Sequence, residues 1–205
     1  MKLWYAPTSP FARKVRIAAA ELGLADRISL VETDPWTDAR LRAINPLSKV
    51  PTLELDDGTV LFESAIICDY LDAQQAEPRL FPAKGPARWQ TLLLQGLADG
   101  AMTAVGRLFA EERKPVAERS ARMLARFRSA RDAALDTLER EHLRDDPLIG
   151  EIAVAALLGY LDFRWSDRDW RSDRPGLADW FGRFEMRASV MDTRHRLPET
   201  LRRSD

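Results

Sequence analysis

A chain of 205 residues is long enough for one or two domains with a substantial core. Its 31 Lys and Arg against 32 Asp and Glu give a formal net charge of −1, with no run of one sign to attract nucleic acid or a membrane surface. A single cysteine, Cys68, excludes an intrachain disulfide framework, and two distant histidines, His142 and His195, suggest no metal site.

The elements follow in order. Residues 2–6 read as a strand rather than a signal peptide. Pro10 to Leu24 carries Val15, Ile17, Ala18, Ala19 and Leu22 at helical spacing and stops at Gly23. Ile28 to Val31 predicts a second strand, and residues 36–44 a short helix. Residues 52–55 and 59–62 flank Asp57-Gly58, a hairpin turn, and a helix follows over 64–74. Strand–helix–strand implies a parallel pair with a right-handed crossover, and the hairpin adds antiparallel pairing, so a mixed four-stranded sheet is expected.

Residues 76–86 hold Pro78, Pro82, Pro86 and Gly85 without periodicity and read as a linker. Beyond them, 87–111 and 115–143 predict long helices separated at Lys114-Pro115. Residues 150–165 predict a helix buried on several faces, and 176–190 a last helix. No stretch approaches the ~20 apolar residues of a membrane span. The expectation is a cytoplasmic protein with an α/β domain over 1–78, a linker over 79–86 and an all-α domain over 87–205.

Three short stretches carry the chemistry. Ser9-Pro10 follows the first strand and opens the first helix. A capping pair is the ordinary reading of such a start. Ser9 also lies at the carboxyl end of the sheet, where its hydroxyl could donate to a thiolate and the helix could lower a thiol pKa. Capping and thiolate binding would compete for the hydroxyl. Lys49-Val50-Pro51 enters a strand through a proline, leaving the Val50 backbone available to an extended ligand; the Val50–Pro51 bond can be trans or cis. Glu63-Ser64 begins a helix, either as capping residues or as partners for an ammonium and a carboxylate on one ligand. Lys49 could hold a second carboxylate. Asp99 reads first as a solvated helix position, with the pocket or a partner subunit as alternatives, and Cys68 as a core or interface residue on the Ser64 face of its helix.

These stretches resemble the cytosolic glutathione transferases over nearly the whole chain. The matching pieces are Ser9-Pro10-Phe11-Ala12-Arg13-Lys14-Val15, Asn45-Pro46-Leu47-Ser48-Lys49-Val50-Pro51-Thr52-Leu53 and Phe62-Glu63-Ser64-Ala65-Ile66-Ile67-Cys68-Asp69-Tyr70-Leu71. Gly159-Tyr160-Leu161-Asp162 and Pro175-Gly176-Leu177-Ala178-Asp179-Trp180-Phe181 match more loosely. The resemblance implies a thioredoxin-like βαβ-α-ββα domain, a helical bundle domain, and a homodimer whose interface includes Trp89. It implies glutathione as co-substrate, no metal, a cis Pro51, the Val50 backbone on the ligand, and Glu63 and Ser64 on its γ-glutamyl group.

Ser9 stands at the position of a serine-type, bacterial member, with Tyr5 a second candidate hydroxyl. No cysteine is present there, which removes thiol–disulfide exchange by the protein's own sulfur. Two departures from the family pattern are Leu148-Ile149-Gly150-Glu151, where a capping hydroxyl is expected and Gly150 would have to serve instead, and Arg187-Ala188-Ser189-Val190.

The function implied is attack of glutathione on an electrophilic small molecule, as in detoxification, with no nucleic acid or membrane partner. Alternatives are a non-catalytic binding or interaction protein, or a glutathione-dependent peroxidase or isomerase. Met102, Arg107, Phe109 and Trp165 are possible lining residues for the electrophile, and each reads equally as core or surface.

Overall fold

A computed structural model describes residues 1–198; residues 199–205, the end of the expected helical domain, lie outside the described residues. The first part contains β1 (Lys2–Tyr5), α1 (Pro10–Glu21), β2 (Ser29–Glu32), α2 (Ala39–Ile44), β3 (Thr52–Glu54), β4 (Val60–Phe62) and α3 (Ser64–Asp72). The strand order is β2-β1-β3-β4, with β1 parallel to β2 and antiparallel to β3, and β3 antiparallel to β4. This is the mixed sheet expected from the crossover and the Asp57-Gly58 turn, where Gly58 takes a positive φ of 86°. α1 packs on α3, and α3 covers β3 and β4.

The second part contains α4 (Pro86–Glu112), α5 (Ala121–Glu139), α6 (Ile149–Arg164), α7 (Pro175–Phe184) and α8 (Ala188–Met191). Two predicted helices are shorter than their apolar patterns suggest. The 115–143 stretch yields a 3-10 turn at Val116–Glu118, and α5 starts only after its N-cap Ser120, whose hydroxyl oxygen accepts from Met123 N–H at 3.3 Å. The 176–190 stretch breaks after Phe184 and restarts as α8. There Arg187 makes two bonds of 2.8 Å to Glu21 at the end of α1.

The segment between the two parts is not a loose tether. The Asp72 carboxylate accepts from the backbone N–H groups of Arg79, Leu80 and Phe81 at 2.8–3.0 Å, and Leu80 and Phe81 are buried. One apolar core runs from Leu3 and Val15 through Met102 and Leu108 to Leu157 and Phe181. α6 lies at its centre, buried at twelve of its sixteen positions, and packs against α1 and α4.

Gly150 and Glu151 divide the work at the start of α6. A Cβ on Gly150 would fall 2.8 Å from Leu94, so this glycine lets α4 and α6 approach and is not a cap. Glu151 supplies the cap by accepting from Leu148 N–H at 3.1 Å, half of a capping box with no hydroxyl partner. Burial raises the Glu151 pKa despite these backbone donors.

Candidate active site

The sheet register brings the three stretches to one edge. Trp4 pairs with Thr52, and Thr52 with Phe62. The chain beyond Trp4, the chain just before Thr52 and the chain just after Phe62 therefore emerge side by side. These are the segments of Ser9, of Lys49 to Pro51, and of Glu63-Ser64. Three neighbouring strands span about 10 Å, close to the length of an extended tripeptide.

Ser9 is the N-cap of α1. Its hydroxyl oxygen accepts from Ala12 N–H at 3.2 Å, and its own N–H donates to Ala6 C=O at 2.9 Å. The expected competition between capping and thiolate binding does not arise. Capping uses an oxygen lone pair, so the hydroxyl proton is left to donate. Tyr5 is placed differently. Its hydroxyl lies 3.5 Å from Glu32 and receives Arg196 Nη2 at 3.1 Å, and Arg16 stands 5.2 Å over its ring.

The Val50–Pro51 bond is cis. Neither Val50 N–H nor Val50 C=O has a hydrogen-bond partner among the described residues. A residue that carries no sequence signal for such a role holds this turn. Buried Asn45 donates to Lys49 C=O at 3.2 Å and to Thr52 Oγ1 at 2.8 Å, and accepts from Leu47 N–H at 2.9 Å. Thr52 Oγ1 adds a 2.8 Å bond to Lys49 C=O. The Lys49 ammonium is exposed and has no acidic partner among the described residues.

Glu63, not Ser64, is the cap residue of α3, and its carboxylate does not cap. Its φ of 67° is uncommon for a side-chain-bearing residue, the kind of local strain found at ligand sites. Ser64 is buried at the first helical position, and its hydroxyl makes no hydrogen bond among the described residues. A carboxylate, a hydroxyl and the first N–H groups of α3 thus remain available together.

Behind them lies a charge pair. Lys14 is fully buried, and its Nζ bonds both Asp99 oxygens at 2.6 and 2.8 Å, joining α1 to α4. Asp99 is therefore not the solvated position expected. Burial raises its pKa against the opposing pull of Lys14 and Gln95, and nearby Glu63 adds to the rise. Cys68, fully buried beside this pair, has its thiol pushed up to about 12 by burial, so it stays protonated at neutral pH.

Of the four possible lining residues, Met102 is in the core and exposed Arg107 lines a surface cleft of about 500 Å³ between α4 and α5, together with Arg126 and Phe127. Phe109 and Trp165 meet edge to face at 5.9 Å. The side of the site beyond Pro7 is made by residues with no sequence signal. His195 Nδ1 donates to Pro7 C=O at 3.3 Å, and the ring stacks on Phe163 at 5.2 Å and 26°. Burial, then the nearby Arg13, push the His195 pKa down to about 3. Arg13 crosses the face of α6 at Gly159, where a Cβ would fall 1.8 Å from its Nη1. Among the described residues no group of three or more His, Cys, Asp or Glu is placed to hold a metal.

A mixed sheet with a cis-proline at the start of an inner strand, followed by a helical bundle that shares its core, defines a thioredoxin-like domain joined to an all-α domain. Comparison with known proteins narrows this class. Residues 8–74 match the glutathione S-transferase N-terminal domain and residues 120–183 the C-terminal domain. An uncharacterized GST-like protein of Escherichia coli K12, YibF, is 34% identical over 185 residues, covering 87% of this chain and 90% of that protein.

A glutathione transferase family member from Pseudomonas fluorescens Pf-5 with bound glutathione superposes with a TM-score of 0.90 at 38% identity, covering 96% and 99% of the two chains. A further structure from that organism carries bound S-(propanoic acid)-glutathione and matches at 0.85 and 37%, covering 95% and 99%. The chain belongs to the glutathione S-transferase family.

Proposed function

We propose that the protein is a glutathione transferase in which Ser9 activates the bound thiol for attack on an electrophilic small molecule. The observation that carries this reading is the set of unused polar groups at one sheet edge. The Val50 N–H and C=O match the backbone of a cysteinyl residue. The Ser64 hydroxyl and the α3 N-terminus suit the γ-glutamyl carboxylate, and Glu63 its ammonium. Lys49 suits the glycyl carboxylate. The Ser9 hydroxyl proton, beside the positive end of α1, suits a thiolate. Tyr5 is the weaker candidate because Glu32 and Arg196 already occupy its hydroxyl. The glutathione-bound relatives support this reading.

We place the domain boundary at residues 79–86 and expect a cytoplasmic homodimer. Ile66 on α3 and Trp89 and Leu93 on α4 are large exposed apolar side chains on two successive helices, which suits a subunit interface. No helix among the described residues is long and apolar enough to cross a membrane.

Calorimetry with reduced glutathione, followed by conjugation assays over a panel of electrophiles, tests the reading. Saturable binding with turnover is expected. No binding at millimolar ligand would overturn it, and binding without turnover on any electrophile would leave a non-catalytic glutathione-binding protein.

A further inference from the structure

Half-buried Arg164, at the end of α6, has no counter-ion among the described residues. Its guanidinium lies 4.1 Å from the Phe109 ring centroid, 4.7 Å from Phe163 and 5.1 Å from Tyr160. Its Nε is buried without a hydrogen-bond partner, and neither terminal nitrogen has a hydrogen bond or ion pair among the described residues. The acids on neighbouring positions are committed elsewhere. Asp162 is held by Arg171 at 2.7 and 2.8 Å and by Trp170 at 2.8 Å. Glu112 takes Arg128, Arg168 and Trp165 at 2.8–3.0 Å.

Three aromatic faces favour a cation but make no directed bond, so they fix the guanidinium plane and leave its N–H groups to a ligand. The nearby groups strengthen the positive field. Among the described residues Arg13 bonds only the Val190 carbonyl and its Nε has no partner, and Arg16 lies close enough to act on His195.

The position is continuous with the proposed thiol site. The Tyr160 ring touches both Arg164 and His195, and His195 reaches Pro7, two residues from Ser9. Gly106 of α4 faces the Tyr160 hydroxyl, where a Cβ would stand 4.0 Å away. A guanidinium walled by aromatic rings and without an ion pair among the described residues suits a small organic acid more than a neutral hydrophobe.

We propose that Arg164 recognises a carboxylate on the electrophile, so that the substrates are acidic electrophiles. This rests on the glutathione transferase reading. With an α-halo acid, the glutathione sulfur bonds to the α-carbon, the carbon–halogen bond breaks and halide leaves with its electron pair. The thiol proton passes to solvent. Arg164 makes no bond to the reacting atoms; it holds the carboxylate.

The test measures binding by the full-length protein of glutathione, of S-(1-carboxyethyl)glutathione and of the corresponding amide, S-(1-carbamoylethyl)glutathione. The acid conjugate is expected to bind about tenfold more tightly than the amide, the effect of one charge-assisted contact. Arg164→Gln should bring the ratio near one, and Arg164→Lys should retain part of it, with glutathione affinity reporting that each variant is folded. Equal affinity for acid and amide in the unaltered protein, or a ratio that survives Arg164→Gln, overturns the role of Arg164 alone. Failure of all three ligands to bind overturns the glutathione reading and this assignment with it.

Discussion

The two sides of the site are built by different means. The edge that would hold glutathione is made of backbone and short polar side chains from three contiguous segments, aligned by the pairing of Trp4, Thr52 and Phe62. The side beyond Pro7 is made of long side chains from α1, α6 and the segment after α8, such as Arg13, Arg164 and His195; Arg13 reaches Val190 across 177 positions and His195 reaches Pro7 across 188. The first is set by strand register and can recognise a fixed ligand. The second depends on helix packing and can change by substitution, which suits it to a variable co-substrate.

The largest effect that separates the two sides should come from the ion pair behind the edge. Lys14→Met leaves Asp99 buried without its partner and should cost about 3 kcal/mol in denaturant unfolding. Replacing both residues by apolar ones should recover most of that loss. A single variant as stable as the parent would show that the pair does not join α1 to α4 energetically.

Next in size is Asn45→Ala, which removes the donors to Lys49 C=O and Thr52. A loss of about 2 kcal/mol is expected, with weaker glutathione binding than Lys49→Ala produces. The reverse order would mean that surface charge, not the shape of the turn, holds the ligand.

Ser9→Ala should lower turnover by about tenfold, the effect of one pH unit in thiol pKa, with little change in glutathione affinity. The lost cap should add about 1 kcal/mol of instability. Turnover unchanged at saturating glutathione would remove Ser9 from the mechanism.

The smallest effect tests the far side through pH. The His195 pKa is lowered from 6.5 to about 3 in the folded chain. Between those values the unfolded chain takes up a proton that the folded one refuses. Stability is therefore complete above pH 6.5 and falls below it, by about 1 kcal/mol at pH 5.5. The ring packs on Tyr160 and Phe163 and bonds the Pro7 carbonyl, and the charged groups that act on it are Arg13, Arg164 and Arg16. His195→Phe should flatten this part of the stability curve. Identical acid sensitivity in both proteins would show that the ring is not buried as described.

The same contrast explains what could be read from residues alone. Ser9-Pro10, Lys49-Val50-Pro51 and Glu63-Ser64 were legible because each is a local signal of proline, serine or acid at the start of an element. Four strands, the hairpin and the change to helices were legible from period and turn residues. Asn45 passed without a role because a buried asparagine that braces a turn looks like any loop asparagine.

Asp99 was read as solvated because its partner lies 85 positions away. His195 gave no signal for the same reason, since Pro7 lies 188 positions away. The breaks at Ser120 and at Glu185 to Arg187 were hidden by apolar periodicity that continues across them. The serine cap and the Arg187–Glu21 contact decide those ends.

The central claim is that this edge binds glutathione and that Ser9 lowers the pKa of its thiol. It is tested most directly by titrating the thiolate absorbance of bound glutathione against pH in the parent protein and in Ser9→Ala. The bound thiol should ionise at least about one pH unit below the ~8.5 of a free cysteine thiol, and the serine variant should lose most of that difference. A bound thiol that ionises like the free one, or equally in both proteins, would contradict the account.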